Sequence, residues 1–368
     1  MVKISESKNS RAIGLKVFIL CLAVAVFVIP HHELYASGNS GGGSGGTSSS
    51  SSDSGSAGGS SRGGSTVMKN MREARDKMNE RLASNAKNEE AHSGKSQVAG
   101  EKSAKTELPF DLNHREWTEI LQSSVTFYDD RAASAIDYAK VDKAKLKRYT
   151  STLLDASRAQ IDGLSREDQL AYYFNLYNAL TVQRVLEKYP KIESFKEFGT
   201  GIGPFGDSAW EVPFFNLFGE KSYLDRIEHE IVREKFVEPR LHFAFNCASV
   251  GCPALLKRAF VGSELEGQLE AATKGFLSDK LRNRVSKDQS ELEVSKIFSW
   301  YEEDFEKGWR GTNSLKEFFA KYASFLSDDP KIVKRIESKK LDIDHLSYSW
   351  LLNTPANTKK WRAQEKKN

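Results

Sequence analysis

Apolar and polar positions follow three patterns along the chain. Residues 17–29, VFILCLAVAVFVI, are continuously apolar. Residues 37–106 hold almost no large apolar side chains. From residue 107 onward apolar positions recur at helical or alternating spacing, as in a folded domain. In SREDQLAYYFNLYNALTVQRVLEKYP, Ser165 and Asp168 form a capping box. Leu170, Phe174, Tyr177, Leu180 and Thr181 then repeat with the period of a helix, and Pro190 closes it. WEVPFFNLFGEKSYL predicts a hairpin turning at Asn216–Gly219. A second box, Ser222 to Asp225, opens a helix through Leu224, Ile227, Ile231 and Val232. After Pro239, LHFAF alternates as a strand, with His242 and Ala244 opposite Leu241, Phe243 and Phe245. A third box at Ser263–Glu266 starts another helix. LEVSKIFSWYEEDF reads as a strand turning into a helix, and LSYSWLLN as a terminal strand. Helices and strands do not alternate in a βαβ rhythm, so the expected class is α+β, a single mixed domain over 107–356.

The remainder is read from composition. Lys3, Lys8, Arg11 and Lys16 precede the apolar run, whose length suits a secretory signal better than a spanning helix. Residues 1–36 are therefore expected to be a signal peptide cleaved after Ala36, or an uncleaved N-terminal anchor. Residues 37–65 are nearly all Ser and Gly and residues 66–106 are highly charged, so 37–106 is expected to be a disordered linker. Residues 357–368 read as a basic, solvated tail. The expected location is periplasmic, secreted or membrane-tethered, with membrane contact only through the N-terminal segment if it is uncleaved. The expected partner is a substrate or an envelope component. A net charge of +4 over 368 residues, with no basic run carrying interleaved aromatics, argues against nucleic acid.

No phosphate loop, GxSxG, HExxH or CxxC appears, so any chemistry must be assembled in space. The run LHFAFNCASVGCP, 241–253, contains Cys247 and Cys252, the two cysteines outside the leader. A thiol at a strand end becomes a nucleophile if an imidazole or a helix N-terminus lowers its pKa. A small buried apolar residue is the commoner role of a free cysteine. The four-residue gap also permits a disulfide in an exported protein. A metal set of His229, His242, Cys247 and Cys252 follows no standard zinc spacing, and no metal or cofactor is expected. On the helical wheel Glu228 falls near the apolar side and His229 well off it. Glu228 is either a rim carboxylate reaching water or the anchor of a buried polar network. His242 is either a packed histidine with one ring nitrogen satisfied or a proton acceptor. Asn175 and Asn178 lie one turn apart on an apolar helix, where they either bond a buried loop backbone or line a cleft. Lys296, Tyr301 and Asp304 at the strand–helix junction pose the same choice, whereas Trp300 and Trp350 are expected in the core.

Five blocks in order, FNLYNALTVQRVL, YLDRIEHEIVR, EPRLHFAFNCASVGCPAL, VSKIFSWYEEDF and YSWLLN, resemble the domain-of-unknown-function 547 family. The resemblance covers residues 110–355. It implies a site drawn from Asn175, Tyr177, Asn178, Glu228, His229, Pro239, His242, Phe243, Cys247, Ser249, Cys252, Pro253, Lys296, Trp300, Asp304, Trp350 and Asn353. Tyr173 and Phe174, and Ser349 and Leu351, depart from the family pattern. The resemblance implies export but no reaction. The Cys, His and Asn content is similar to that of papain-like and transglutaminase-like thiol enzymes, although both histidines here precede Cys247. The expected function is thus a thiol hydrolase or acyl transferase. Cys247 attacks, His229 or His242 takes its proton, and Glu228 or Asn246 orients the imidazole. Backbone N–H groups near Ala248 and Ser249 hold the oxyanion. Asn175, Asn178, Ser249 and Lys296 bind substrate. The alternatives are a tethered binding domain with a Cys247–Cys252 disulfide, or a His/Cys metal site.

Overall fold

A computed structural model describes residues 107–129, 132–200 and 207–367. The leader and linker, residues 1–106, lie outside the described residues. One helix, Arg166–Lys188, organises the domain. It is apolar nearly all round, and every residue from Gln169 to Val182 is buried, as expected of a helix inside a core rather than on its surface. Ser165 caps it by accepting from the Asp168 N–H. Helices Arg115–Ser124 and Lys143–Leu154 pack around it, together with the antiparallel pair β1 (Val125–Tyr128) and β2 (Ala133–Ile136). The hairpin β3 (Phe215–Leu217) and β4 (Glu220–Ser222) forms where the sequence predicts it, with Phe218 and Gly219 at positive φ in the turn. A second apolar cluster centres on Phe243, Phe276, Phe298, Phe305 and Phe318. It lies under the sheet β5 (Arg284–Val285), β6 (Glu291–Ser295) and β7 (Asp342–Leu346), in which β6 and β7 run parallel. Helices thus combine with three small sheets, a mixed α+β architecture. Among the described residues no helix is long and apolar enough to cross a membrane.

Three sequence-based expectations are corrected. LHFAF is not a strand: Pro239–Phe243 is a short 3-10 helix, with Pro239 in its first turn and Glu238 accepting from the Arg240 N–H. Alternation over five residues cannot distinguish a strand from a segment buried on every side. Here Arg240 decides, because its fully buried guanidinium is held by Glu238, Glu266 and Glu270. LSYSWLLN does not extend the sheet beyond Leu346. Its backbone clamps the cysteine loop instead, through Val250 N–H to Leu351 O at 2.8 Å, Gly251 N–H to Ser349 O at 3.0 Å and Asn353 N–H to Ala248 O at 2.9 Å. Finally, the C-terminal residues are not a free solvated end. Pro355–Glu365 is a helix, and its buried Arg362 bridges Asp129 and Asp279.

Candidate functional site

A cavity of about 330 Å³ opens between the two apolar clusters, and three segments bring its polar groups together. The first is the helix at 224–235, which is π-helical over Arg226–Val232. The Arg233 N–H there bonds to Glu228 O, five residues back. This wider turn, a frequent feature of functional sites, changes the wheel on which His229 fell off the apolar side. Asp225, Glu228 and His229 all line the cavity. Glu228 is 5% exposed, so it is no rim carboxylate; burial, and then the nearby Glu228 charge, push the hydroxyls of Tyr177 and Tyr301 well above the usual phenol range. His229 Nδ1 accepts from Arg233 Nη1 at 2.7 Å, so its proton sits on Nε2, 3.8 Å from Asp225 Oδ1. Burial, and then the Glu228 charge, push the Asp225 carboxyl up to about 8.

The second segment is the 3-10 turn that carries His242. The ring is buried and stacks on Tyr301 at 3.9 Å between centroids. Nε2 donates to Asp304 Oδ2 at 2.7 Å. Asp304 also accepts from Arg233 Nε at 2.5 Å and Lys307 Nζ at 2.7 Å. Burial would raise the Asp304 carboxyl, but hydrogen bonds from His242 and Arg233 hold it well below the usual carboxylate range. For His242 burial outweighs the pull of Asp304 and Glu228 and keeps the ring neutral, its pKa lowered. Nδ1 is then a lone-pair acceptor. It has no partner, and it lies 3.9 Å from Glu228 Oε1.

The third segment is the cysteine loop. Cys247 and Cys252 form a disulfide with Cα atoms 6.3 Å apart, and both line the cavity. No helix follows Cys247. Ala248 takes a left-handed conformation at φ 62°, which a β-carbon disfavours. Asn246 holds that conformation: its Oδ1 accepts from the Ala248 N–H at 3.0 Å and from Asn353 Nδ2 at 3.2 Å, and its Nδ2 donates to Pro253 O at 2.8 Å. The N–H groups of Cys247 and Ser249 point at Cys252 Sγ, at 3.1 and 3.4 Å, and Tyr348 Oη lies 3.2 Å from each sulfur.

Some expected site residues act elsewhere. Asn175 and Asn178 do not line the cavity; each pairs its amide with loop backbone in both directions. Asn175 bonds to the N–H and C=O of Phe260, and Asn178 to Ala244 O and the Asn246 N–H. Asn246 braces the loop instead of orienting an imidazole, a task that falls to Asp304 for His242 and to Arg233 for His229. The Ala248 N–H is engaged by Asn246 and the Ser249 N–H by sulfur, so neither is an open oxyanion donor in the disulfide form. Lys296 precedes the Ile297–Trp300 helix and does not line the cavity, and Ser249 sits beside it, with Oγ 3.6 Å from Cys247 Sγ. A disulfide leaves no thiolate to join His229 and His242 around a metal, and among the described residues no group of three or more His, Cys, Asp or Glu is placed to hold one. Trp300 and Trp350 are not core. Trp300 is 42% exposed, and both, with Trp210 and Tyr348, form an aromatic wall. Asp225 fits a capping box by its spacing, which hides its place in the cavity; Glu228 and His229 within the next turn are the signal in the sequence that points to it.

Residues 161–277 match the family model of DUF547, a protein family of unknown function. No curated protein and no solved structure matches the chain. The DUF547 match contains Glu228, His229, His242 and both cysteines. Trp300, Tyr301, Asp304, Tyr348 and Trp350 lie beyond it, so the cavity is completed by residues outside the matched segment.

Proposed function

We propose that this is an exported thiol enzyme, a hydrolase or acyl transferase with a papain-like set of groups, resting as the Cys247–Cys252 disulfide. The observation that carries the reading is His242. Oriented by Asp304, it presents an unpartnered Nδ1 among residues lining the same cavity as Cys247. A thiol reductant supplies two electrons and two protons, and the disulfide becomes two thiols as the reductant is oxidised. His242 Nδ1 then takes the Cys247 proton. The thiolate adds to the acyl carbon, the bond to the leaving group breaks, and the proton passes from Nδ1 to that group. Water or a second nucleophile releases the thioester. Export is supported by the basic-then-apolar leader and by a disulfide, which persists in oxidising compartments. The substrate is then a component met outside the cytosol or in the envelope.

The test is mass-resolved alkylation of the intact protein from pH 5 to 9, with and without reductant. Before reduction neither Cys247 nor Cys252 should label. Afterwards Cys247 should label with an apparent pKa below the ~8.5 of an unperturbed thiol, and His242→Gln should return it toward that value. An ordinary titration that His242→Gln leaves unmoved would exclude the enzyme reading. It would favour the second reading, a tethered binding domain. That one is supported by the disulfide-stapled loop beneath the tryptophan wall.

A further inference from the structure

The floor of the cavity presents two hydrogen-bond acceptors and no hydrogen between them. His242 Nε2 carries the proton given to Asp304, so Nδ1 offers a lone pair. Glu228 faces it from 3.9 Å, too far for a direct bond. The His242 side chain is 1% exposed and Nδ1 has no partner, so this atom is desolvated and unsatisfied. Buried polar atoms are rarely left so, which makes Nδ1 a candidate contact for a ligand that donates a hydrogen. A group bridging both acceptors must donate at least two hydrogens. A hydroxyl has one and a carboxylate has none; water and a primary amide have two, and an ammonium has three.

The walls favour the ammonium. Among the described residues that line the cavity none is Lys or Arg, the Arg233 guanidinium standing behind it on His229 and Asp304, and the acid that faces Nδ1 is Glu228. Trp210, Trp300 and Trp350 line the cavity, and aromatic rings attract cations. One of them already does so within the chain: Lys196 Nζ lies 4.0 Å from the Trp350 ring centroid.

We infer that the cavity binds a primary ammonium group, held between His242 Nδ1 and the Glu228 carboxylate under the tryptophan wall. Ligands would then carry an amine, either as a small alkylamine or as the amino terminus or lysine side chain of a peptide. The site shares the cavity of the thiol-enzyme reading but competes with it: while an ammonium holds the only free ring nitrogen of His242, that atom cannot take the Cys247 proton, and the binding itself needs no thiol.

The experiment is calorimetric titration of the full chain, disulfide intact, at fixed ionic strength. The probes are pentylamine, pentanol and pentanoate, then one short peptide with a free and with an acetylated amino terminus. Pentylamine should bind saturably and at least tenfold more tightly than pentanol, and pentanoate should not bind. Glu228→Gln should weaken pentylamine at least tenfold and leave pentanol unchanged. If that variant does not fold, Trp300→Leu at the exposed edge should weaken pentylamine severalfold. Preference for the free over the acetylated peptide would assign the group to a peptide, and tight pentylamine without that preference to a small amine. Equal affinity for amine and alcohol, or amine binding that neither variant moves, would overturn the inference and leave water as the bridging group. Amine binding without a reactive Cys247 would remove the thiol enzyme and keep the amine site; a reactive Cys247 without amine binding would do the reverse.

Discussion

Residue by residue, the site works by contrast between groups of the same type. Two histidines lie on one cavity. His229 has an arginine against Nδ1 and is about one-third exposed. His242 has a carboxylate against Nε2 and is buried, so it alone offers a shielded lone pair. Asp304→Asn should therefore do more than loosen a ring. It leaves the Arg233 guanidinium without a buried counter-charge, at a cost of about 3 kcal/mol, measurable by urea denaturation. It should also raise the labelling pKa of reduced Cys247. Asp225 gives a second contrast. It keeps its proton up to about pH 8 when folded, against 3.8 unfolded. Between those values the unfolded chain has lost a proton that the folded chain retains, so this group makes stability fall as pH rises. Asp225→Asn should thus raise stability at pH 8 by about 1 kcal/mol or more, and the gain should vanish by pH 4. Thermal melts of both proteins across that range decide it.

At the scale of elements, the cysteine loop is held from outside itself. The disulfide closes a short loop, worth about 2 kcal/mol against the unfolded chain. The loop's strained Ala248 is kept in place by Asn246, by the 349–353 segment and, one step back, by Asn178 of the central helix. Asn178→Ala strands Ala244 O and the Asn246 N–H in the interior. The expected loss is about 2–3 kcal/mol, with faster amide exchange concentrated in residues 244–253. Uniform exchange throughout the domain would show that Asn178 supports the helix and not the loop.

At the scale of the molecule, the C-terminal helix closes the fold. Buried Arg362 joins Asp129, beside β1, to Asp279, at the end of the Leu265–Ser278 helix. Arg362→Ala should lower the melting temperature by roughly 5 °C or more, from a loss of about 2–3 kcal/mol. A tail free in solvent would give no change. The same closure matters for the cavity. The DUF547 match supplies its histidines and sulfurs, and the later segments supply Asp304 and the aromatic wall.

Features that depend on near neighbours are legible in the chain alone. The buried central helix with its Ser165 cap, the hairpin at Phe218–Gly219 and the strand-to-helix turn at Ser295–Ile297 follow from periodicity and turn chemistry within a few residues. The list of chemically notable residues was legible too, because buried Glu, His and Asn stand out against an apolar pattern. Tertiary structure alone decided their roles. Local spacing could not show that Asn175 and Asn178 hold loops, that Trp300 and Trp350 wall a cavity, or that His242 sits on a 3-10 turn and leans on Asp304, 62 residues away. Burial and hydrogen-bond satisfaction are properties of the whole packing, and a side chain's task is set by which groups across the fold remain to be paired.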